Sequence, residues 1–210
     1  MSAPPSPGRR PWPPEVELRG THASLVPLSL GHCAELALAV QDGELWKLWY
    51  TGVAAPQDIA QDIERRLALR SEGACLPFTV IEAATGRPVG MTSYLNIDAV
   101  NRRLEIGSTW YRAQVQRTPV NTECKLMLLR HAFESLDCIA VEFRTHFFNV
   151  ASRRAIERLG AKLDGVLRSH SRLADGSLRD TCVYSVIAAE WPTVRRHLTW
   201  RLERPRTPTG

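Results

Sequence analysis

The sequence has no apolar run approaching the roughly 20 residues that span a bilayer, and no apolar stretch follows the basic pair Arg9-Arg10. We therefore expect a cytoplasmic protein with no secretory signal and no membrane partner. Long basic runs are also missing, since 27 Lys and Arg are interspersed with 22 Asp and Glu for a net charge of +5. The calculated pI of 9.2 would suit nucleic acid, but the scattered charge argues against it and suits an anionic cofactor equally well.

The sequence also lacks the short motifs of most enzyme classes. It contains no H-E-x-x-H, no paired C-x-x-C, no Walker loop, no G-x-S-x-G and no G-x-G-x-x-G. The six histidines have no ligand spacing, so we expect no metal site. The five cysteines lie far apart, and no cue favours any of them as a nucleophile; we expect reduced, buried thiols.

What the chain does have is the composition of one ordinary globular domain: 210 residues, 44% hydrophobic and 23% charged. We expect residues 1–14 to form a disordered, proline-rich tail, residues 15–200 to form a single domain, and residues 201–210 to be a flexible tail.

Hydrophobic periodicity alternates between two and 3.6 residues along this domain. Helices are expected at 29–40, 56–72, 119–136 and 149–160, with Ser29, Thr118 and Asn149 as N-caps. Strands are expected near 24–28, 78–82, 88–95, 103–111, 139–145, 163–172 and 179–188. The order β-α-α-β-β-β-α-β-α-β-β predicts an α/β fold with a mixed sheet.

The segment 110–124 is the first with chemical content, because a strand runs through a short polar loop into an amphipathic helix. The start of such a helix presents free backbone N–H groups and the positive end of the helix dipole, which together bind phosphate. Arg112 and Arg117 lie in the same loop. An ordinary strand-loop-helix connection would look the same.

Four further segments carry a family resemblance, in order along residues 15–191. They are Leu18-Arg-Gly-Thr-His-Ala-Ser-Leu-Val-Pro-Leu28, Leu104-Glu-Ile-Gly107, the pattern N-x-x-S-x-x-A-x-x-x-L-G that begins at Asn149, and Asp175-Gly-Ser-Leu-Arg-Asp180. Together they resemble the GNAT superfamily, and within it the Rim-type ribosomal-protein acetyltransferases. The resemblance implies a mostly antiparallel sheet of about seven strands with about four helices, splayed between the fourth and fifth strands.

It also implies acetyl-CoA as co-substrate and direct acetyl transfer to a primary amine, either a protein N-terminus or a small molecule. The phosphate loop of the family matches Gln116 to Asn121, but Pro119 and Asn121 stand where the family has small residues. A non-catalytic acyl-CoA-binding protein of the same fold is the alternative. The residues expected to bind the cofactor are Ser108, Thr109, Trp110, Gln116, Arg117, Thr118, Pro119, Val120, Asn121, Asn149 and Ser152.

Two residues are expected to be catalytic. By resemblance, Ser152 protonates the leaving thiolate, because the tyrosine that does so in many relatives falls at Ile156; alternatively it only supports the first turn of its helix. Glu105 lies mid-strand with its side chain directed away from its apolar neighbours, and a buried carboxylate there could accept the amine proton. Equally, it could be a structural partner of Arg102 or Arg103.

Other bases are left open, namely Glu142, His170 and water. The aromatic segment 44–50 falls where the family walls its acceptor site, although the same residues could be core. The expected substrate-binding residues are Trp46, Trp49, Tyr50 and Tyr94. The sequence leaves open which amine is the acceptor and which oligomeric state is formed, a homodimer included.

Overall fold

A computed structural model describes residues 12–204 and shows one eight-stranded sheet in the order β1-β2-β3-β4-β5-β6-β8-β7. Every neighbouring pair is antiparallel except β5 and β6. The strands are β1 Leu18–Arg19, β2 Ala23–Pro27, β3 Cys75–Glu82, β4 Pro88–Asp98, β5 Arg103–Tyr111, β6 Ala140–His146, β7 Lys162–Arg172 and β8 Leu178–Ile187. The expected mostly antiparallel α/β sheet is confirmed, with the short β1 added to the seven expected strands.

Five helices cover the sheet, one more than expected: α1 Cys33–Gln41, α2 Ile59–Ser71, α3 Pro119–Arg130, α4 Val150–Glu157 and α5 Trp191–Glu203. Thr118 caps α3 by accepting a hydrogen bond from the Val120 backbone, as its sequence position predicts. The long third helix is α-helical only to Arg130 and continues as a π turn over His131–Ser135.

The extra helix α5 buries Trp191, Val194 and Leu198, which recur at helical spacing. Because α5 runs to Glu203, the first residues of the expected C-terminal tail are helical, and residues 205–210 lie outside the described part. At the other end, Trp12 packs against the main core and Pro13 is buried, although both were expected in the disordered tail. Residues 1–11 are outside the description.

Two apolar cores lie on opposite faces of the sheet. The larger one packs α3 and α5 against alternate residues of the strands, among them Tyr94 and Ile106. The smaller one packs α1 and α2 against the other face, where Met91 and Trp110 point. Successive strand residues thus serve different layers, as the two-residue period requires.

Glu123 faces the protein interior, although its position on α3 suggests an outward side chain. Its buried carboxylate accepts hydrogen bonds from the backbone N–H groups of Thr21, His22 and Ala23 at 2.8, 2.6 and 2.8 Å. A Cβ on Gly20 would lie 2.4 Å from the Glu123 carboxyl carbon, so glycine makes room for this contact. The carboxylate ties the β1–β2 turn to α3.

The sheet opens between β5 and β6. These parallel strands pair only at Arg103 with Ala140, Leu104 with Val141 and Glu105 with Glu142. Beyond Glu105 the strands separate, and one edge of β5 is left without a strand partner. The expected splay is confirmed, and it creates the cleft described next.

Candidate active site

A cleft of about 540 Å³ opens where β5 and β6 diverge. Volumes of this order are usual for small-molecule sites. One wall is β5, the opposite wall is β6 with the start of α4, and α3 and a loop after α1 complete the rim. Among the residues expected to be functional, those lining the cleft are Tyr50, Glu105, Ser108, Thr109, Trp110, Gln116, Asn121, Asn149 and Ser152.

The β5 wall carries a β-bulge. Met91 pairs with Trp110 and Ser93 with Gly107, so two residues of β5 oppose one of β4. Ser108 adopts a left-handed backbone with φ of 48°, and Gly90 permits the close approach, since a Cβ there would lie 2.1 Å from the Trp110 carbonyl oxygen. Bulges bend a strand and redirect its backbone groups, and they are frequent beside active sites.

The loop from β5 into α3 is held by its own hydrogen bonds. Asp42 accepts from the Gln114 backbone at 2.9 Å and from the Arg112 guanidinium at 3.1 Å, so Arg112 is already paired. Gln116 donates its side-chain amide to the Tyr111 carbonyl at 3.1 Å. In the same wall, Asn121 Oδ1 is buried and has no hydrogen-bond partner among the described residues. An orphaned buried acceptor in a cleft is a group that a ligand N–H would satisfy.

The opposite wall holds the start of α4. Asn149 Oδ1 caps this helix by accepting from the Ser152 backbone N–H at 3.0 Å. The Ser152 side chain is half-buried in the cleft wall, and its hydroxyl has no hydrogen bond to any described residue. Ile156, one turn later, is buried and lines the same wall without a polar group.

Glu105 is a buried carboxylate at the point where the two strands separate. Its Oε2 accepts from Asn96 Nδ2 at 2.6 Å and lies 3.7 Å from Arg144 Nε. Burial raises the pKa of Glu105, and the positive charges of Arg144 and Arg179 with the Asn96 hydrogen bond offset part of that rise. The alternative pairing of Glu105 with Arg102 or Arg103 is not what the structure shows.

The other proposed bases are less suited to accept a proton in the cleft. Burial favours a higher pKa for Glu142, but hydrogen bonds from Arg103 at 2.6 Å and Arg144 at 2.9 Å outweigh it and hold the pKa below its ordinary value. His170 is exposed on β7, hydrogen-bonded with Thr181 at 3.1 Å, and lies outside the cleft lining.

Lys125 is a cleft residue that sequence reasoning missed. It lies on α3 in the cofactor-side wall, and its ammonium donates to Thr109 Oγ1 at 2.8 Å and lies 3.4 Å from Thr92 Oγ1. Burial lowers the pKa of Lys125 to about 8. The sequence signal was a lysine between Cys124 and Leu126, inside the apolar stripe of the helix.

Several expected residues lie away from the cleft. Tyr94 is fully buried in the larger core, where its hydroxyl donates to the Leu128 carbonyl at 2.7 Å, so its expected substrate role is wrong. Trp46 packs against the α1–α2 core, and Trp49 is exposed beside Tyr50. Arg117 does not line the cleft, and Thr118, Pro119 and Val120 border a separate surface depression near Thr21 and His22.

The acceptor-side wall contains further residues that the sequence did not reveal. Arg66 is buried and pairs with Asp62 at 2.7 Å. Arg144 and His146 come from β6, Arg179 comes from β8, and the loop 51–53 closes the rim. These residues meet only through strand pairing and helix packing, which no local pattern encodes.

Comparison with known proteins agrees with this geometry. A family model described as "Acetyltransferase (GNAT) domain" matches residues 23–162, well over half of the chain. A GCN5-related N-acetyltransferase structure from Brucella melitensis superposes with a TM-score of 0.82 at 29% identity, covering 92% of this chain and 88% of that one. A structure from T. thermophilus, described as a "putative acetyltransferase", gives 0.78 at 34% identity over 90% and 97%.

The chain belongs to the GNAT acetyltransferase family, whose acetyl donor is acetyl-CoA. Among curated relatives it is 32% identical over 106 residues to "Putative ribosomal N-acetyltransferase YdaF" of Bacillus subtilis (strain 168), and this supports the Rim-type branch. That alignment covers 50% of this chain and 57% of the relative, little more than half its length. Across residues 12–204, no helix is long and apolar enough to span a membrane, and no cluster of three potential metal ligands occurs.

Proposed function

We propose that this protein transfers the acetyl group of acetyl-CoA directly to a primary amine, without a covalent enzyme intermediate. The observation that carries the proposal is the cleft between β5 and β6, with the buried Glu105 carboxylate at its base and the Ser152 hydroxyl in its wall. A base for the amine and a proton donor for the leaving thiolate are the two groups that direct transfer needs.

The residues around the cleft fit the co-substrate. The unpaired edge of β5 offers backbone N–H and C=O groups to an amide-bearing arm, and Asn121 Oδ1 offers a buried acceptor. The start of α3 supplies backbone N–H groups and a helix dipole suited to phosphate. When bound, acetyl-CoA supplies the acetyl group as a thioester whose carbonyl carbon the amine attacks.

Glu105 accepts the proton that the amine must lose, directly or through one water molecule. Its raised pKa makes it a stronger base than an exposed glutamate, and it still ionises below neutral pH because the Asn96 hydrogen bond and nearby arginines oppose the effect of burial. As the new C–N bond forms and the C–S bond breaks, Ser152 donates a proton or hydrogen bond toward the sulfur. The Asn149 cap fixes the position of Ser152.

The acceptor enters from the side walled by Tyr50 and the loop 51–53, beside the aromatic ring of Trp49. A protein N-terminus and a small amine both fit this description. The similarity to a protein named as a ribosomal N-acetyltransferase supports the protein N-terminus as one candidate.

Mass spectrometry of reactions containing the full chain, acetyl-CoA and a broad panel of amines and peptides tests the proposal. We expect an N-acetylated product and an equal amount of free CoA. The alternative, a non-catalytic acyl-CoA-binding protein, predicts that acetyl-CoA binds but no amine in the panel is acetylated.

A further inference from the structure

The acceptor-side wall of the cleft carries one positive charge more than its local partners neutralise. Arg66 is paired with Asp62, and Arg144 with Glu142. Arg179, the third arginine in this wall, makes no ion pair with any described Asp or Glu, and its Nε donates to the neutral hydroxyl of Thr181 at 3.0 Å. Four of its five N–H donors therefore remain for another partner.

Arg179 is half-buried, and burial lowers its pKa, which reports a cation that has lost part of its hydration. Its charge also interacts with the Glu105 carboxylate, so it lies within electrostatic range of the position where the amine would be deprotonated. A partly desolvated cation without an anionic partner is costly unless a ligand supplies one.

His146 adds an independent feature to the same wall. Its ring is 2% exposed, and Nδ1 accepts a hydrogen bond from the Phe148 backbone N–H at 3.1 Å. Burial and the charge of Arg179 lower the pKa of His146, with Asp180 opposing them, so the ring is neutral at pH 7. A neutral ring that accepts through Nδ1 carries its proton on Nε2, and this buried Nε2–H has no partner among the described residues.

That tautomer makes His146 a hydrogen-bond donor in the cleft and leaves it no lone pair with which to act as a base. Aromatic rings fix its orientation, with Trp49 at 5.1 Å and Phe148 at 5.7 Å between ring centroids. One unpaired guanidinium and one unpaired N–H, both in the acceptor-side wall, match an oxygen-rich anion.

We propose that Arg179 and His146 form an anion-binding subsite that selects acceptor amines carrying a carboxylate or phosphate a few bonds from the amino group. This inference rests on the proposed acetyl transfer and narrows its substrate class to zwitterionic amines. Polyamines and other polycations are disfavoured, because Arg179 repels them.

Matched pairs of acceptors test the subsite. Free α-amino acids are compared with their carboxamides, O-phosphoethanolamine with ethanolamine, and short peptides with Asp or Asn in second position with each other. The first and third pairs report on carboxylates and the second on phosphate. For each pair, the ratio of kcat/KM for the anionic and neutral member is measured in wild type and variants, so that differences in intrinsic amine reactivity cancel.

In Arg179→Gln we expect that ratio to fall about 10- to 100-fold for at least one pair, and in His146→Phe, which keeps an aromatic ring, about tenfold. Arg196→Gln, an exposed arginine on α5, is the matched control and should leave the ratio unchanged. A ratio for every pair that is the same in wild type and Arg179→Gln would overturn the subsite.

If wild type acetylates no amine, the proposed transferase function fails, and calorimetric titration with the same compounds then decides the subsite separately. Saturable binding of an anionic member but not its neutral partner, lost in Arg179→Gln, would support it. Equal binding, or none, would overturn it.

Discussion

Replacing Glu105 by Gln removes the base while leaving the shape of the cleft intact. The Gln side chain can still accept from Asn96 through its amide oxygen, and Arg144 keeps its partner Glu142 at 2.9 Å. We therefore expect a folded protein that binds acetyl-CoA as wild type does. Loss of general-base catalysis should lower turnover by about 10²–10⁴-fold, or about 2.7–5.5 kcal/mol in activation free energy.

The pH profile gives the same test a second readout. Glu105 accepts a proton only when ionised, and burial raises its pKa, so wild-type kcat should fall as pH drops through that elevated pKa. The variant has no carboxylate at this position, so its residual rate should lack that acid limb. Initial rates of CoA thiol release at saturating acetyl-CoA, from pH 5 to 9 (about two units either side of neutrality), measure both effects.

Glu142→Gln is the comparison that separates the two strand carboxylates. Because Glu142 is held ionised by Arg103 and Arg144 and lies outside the cleft lining, its loss should affect rate much less than the loss of Glu105. Turnover of Glu105→Gln within about threefold of wild type, less than half a typical tenfold step of 1.4 kcal/mol, would refute the assignment. So would an acid limb retained in that variant.

Three further substitutions test other parts of the site. Ser152→Ala should lower turnover more than acetyl-CoA affinity, because the Asn149 cap uses the Ser152 backbone; equal losses in both would mark a binding or capping residue. Pro119→Gly restores a backbone N–H at the start of α3 and should tighten acetyl-CoA binding severalfold, since hydrogen bonds to charged groups contribute about 1.5–3 kcal/mol and glycine flexibility offsets part of this; calorimetry showing unchanged or weaker binding would exclude the position from phosphate contact. The folded-state pKa of Lys125, about 8, lies below its ordinary 10.5, so the stability of wild type relative to Lys125→Met should rise between those two pH values, by up to about 3 kcal/mol in urea unfolding; a constant difference would contradict a neutralised lysine.

The sequence predicted features that depend on local chemistry. The caps Thr118 and Asn149 and the strand that carries Glu105 follow from residue type and period, and the structure has them where expected. The splay between β5 and β6 came from the family resemblance. The helix α5 was missed even though Trp191, Val194 and Leu198 repeat at helical spacing.

Properties that depend on which face or which neighbour a residue meets were not predictable in the same way. Tyr94 is aromatic and on a cleft strand, but its side chain enters the core and bonds to α3. His146 and Arg179 are brought together by the register of β6 with β8, in which His146 lies opposite Thr181. Neither contact leaves a trace in local spacing.

Hydrogen–deuterium exchange of the full chain with and without acetyl-CoA tests the central claim most directly, because it reports where the co-substrate binds. Acetyl-CoA in the cleft should slow exchange in residues 106–111, where β5 has lost β6 as a partner, and in residues 120–122 at the start of α3. Exchange that is unchanged in both segments at saturating acetyl-CoA, or protection confined to another part of the protein, would contradict the account.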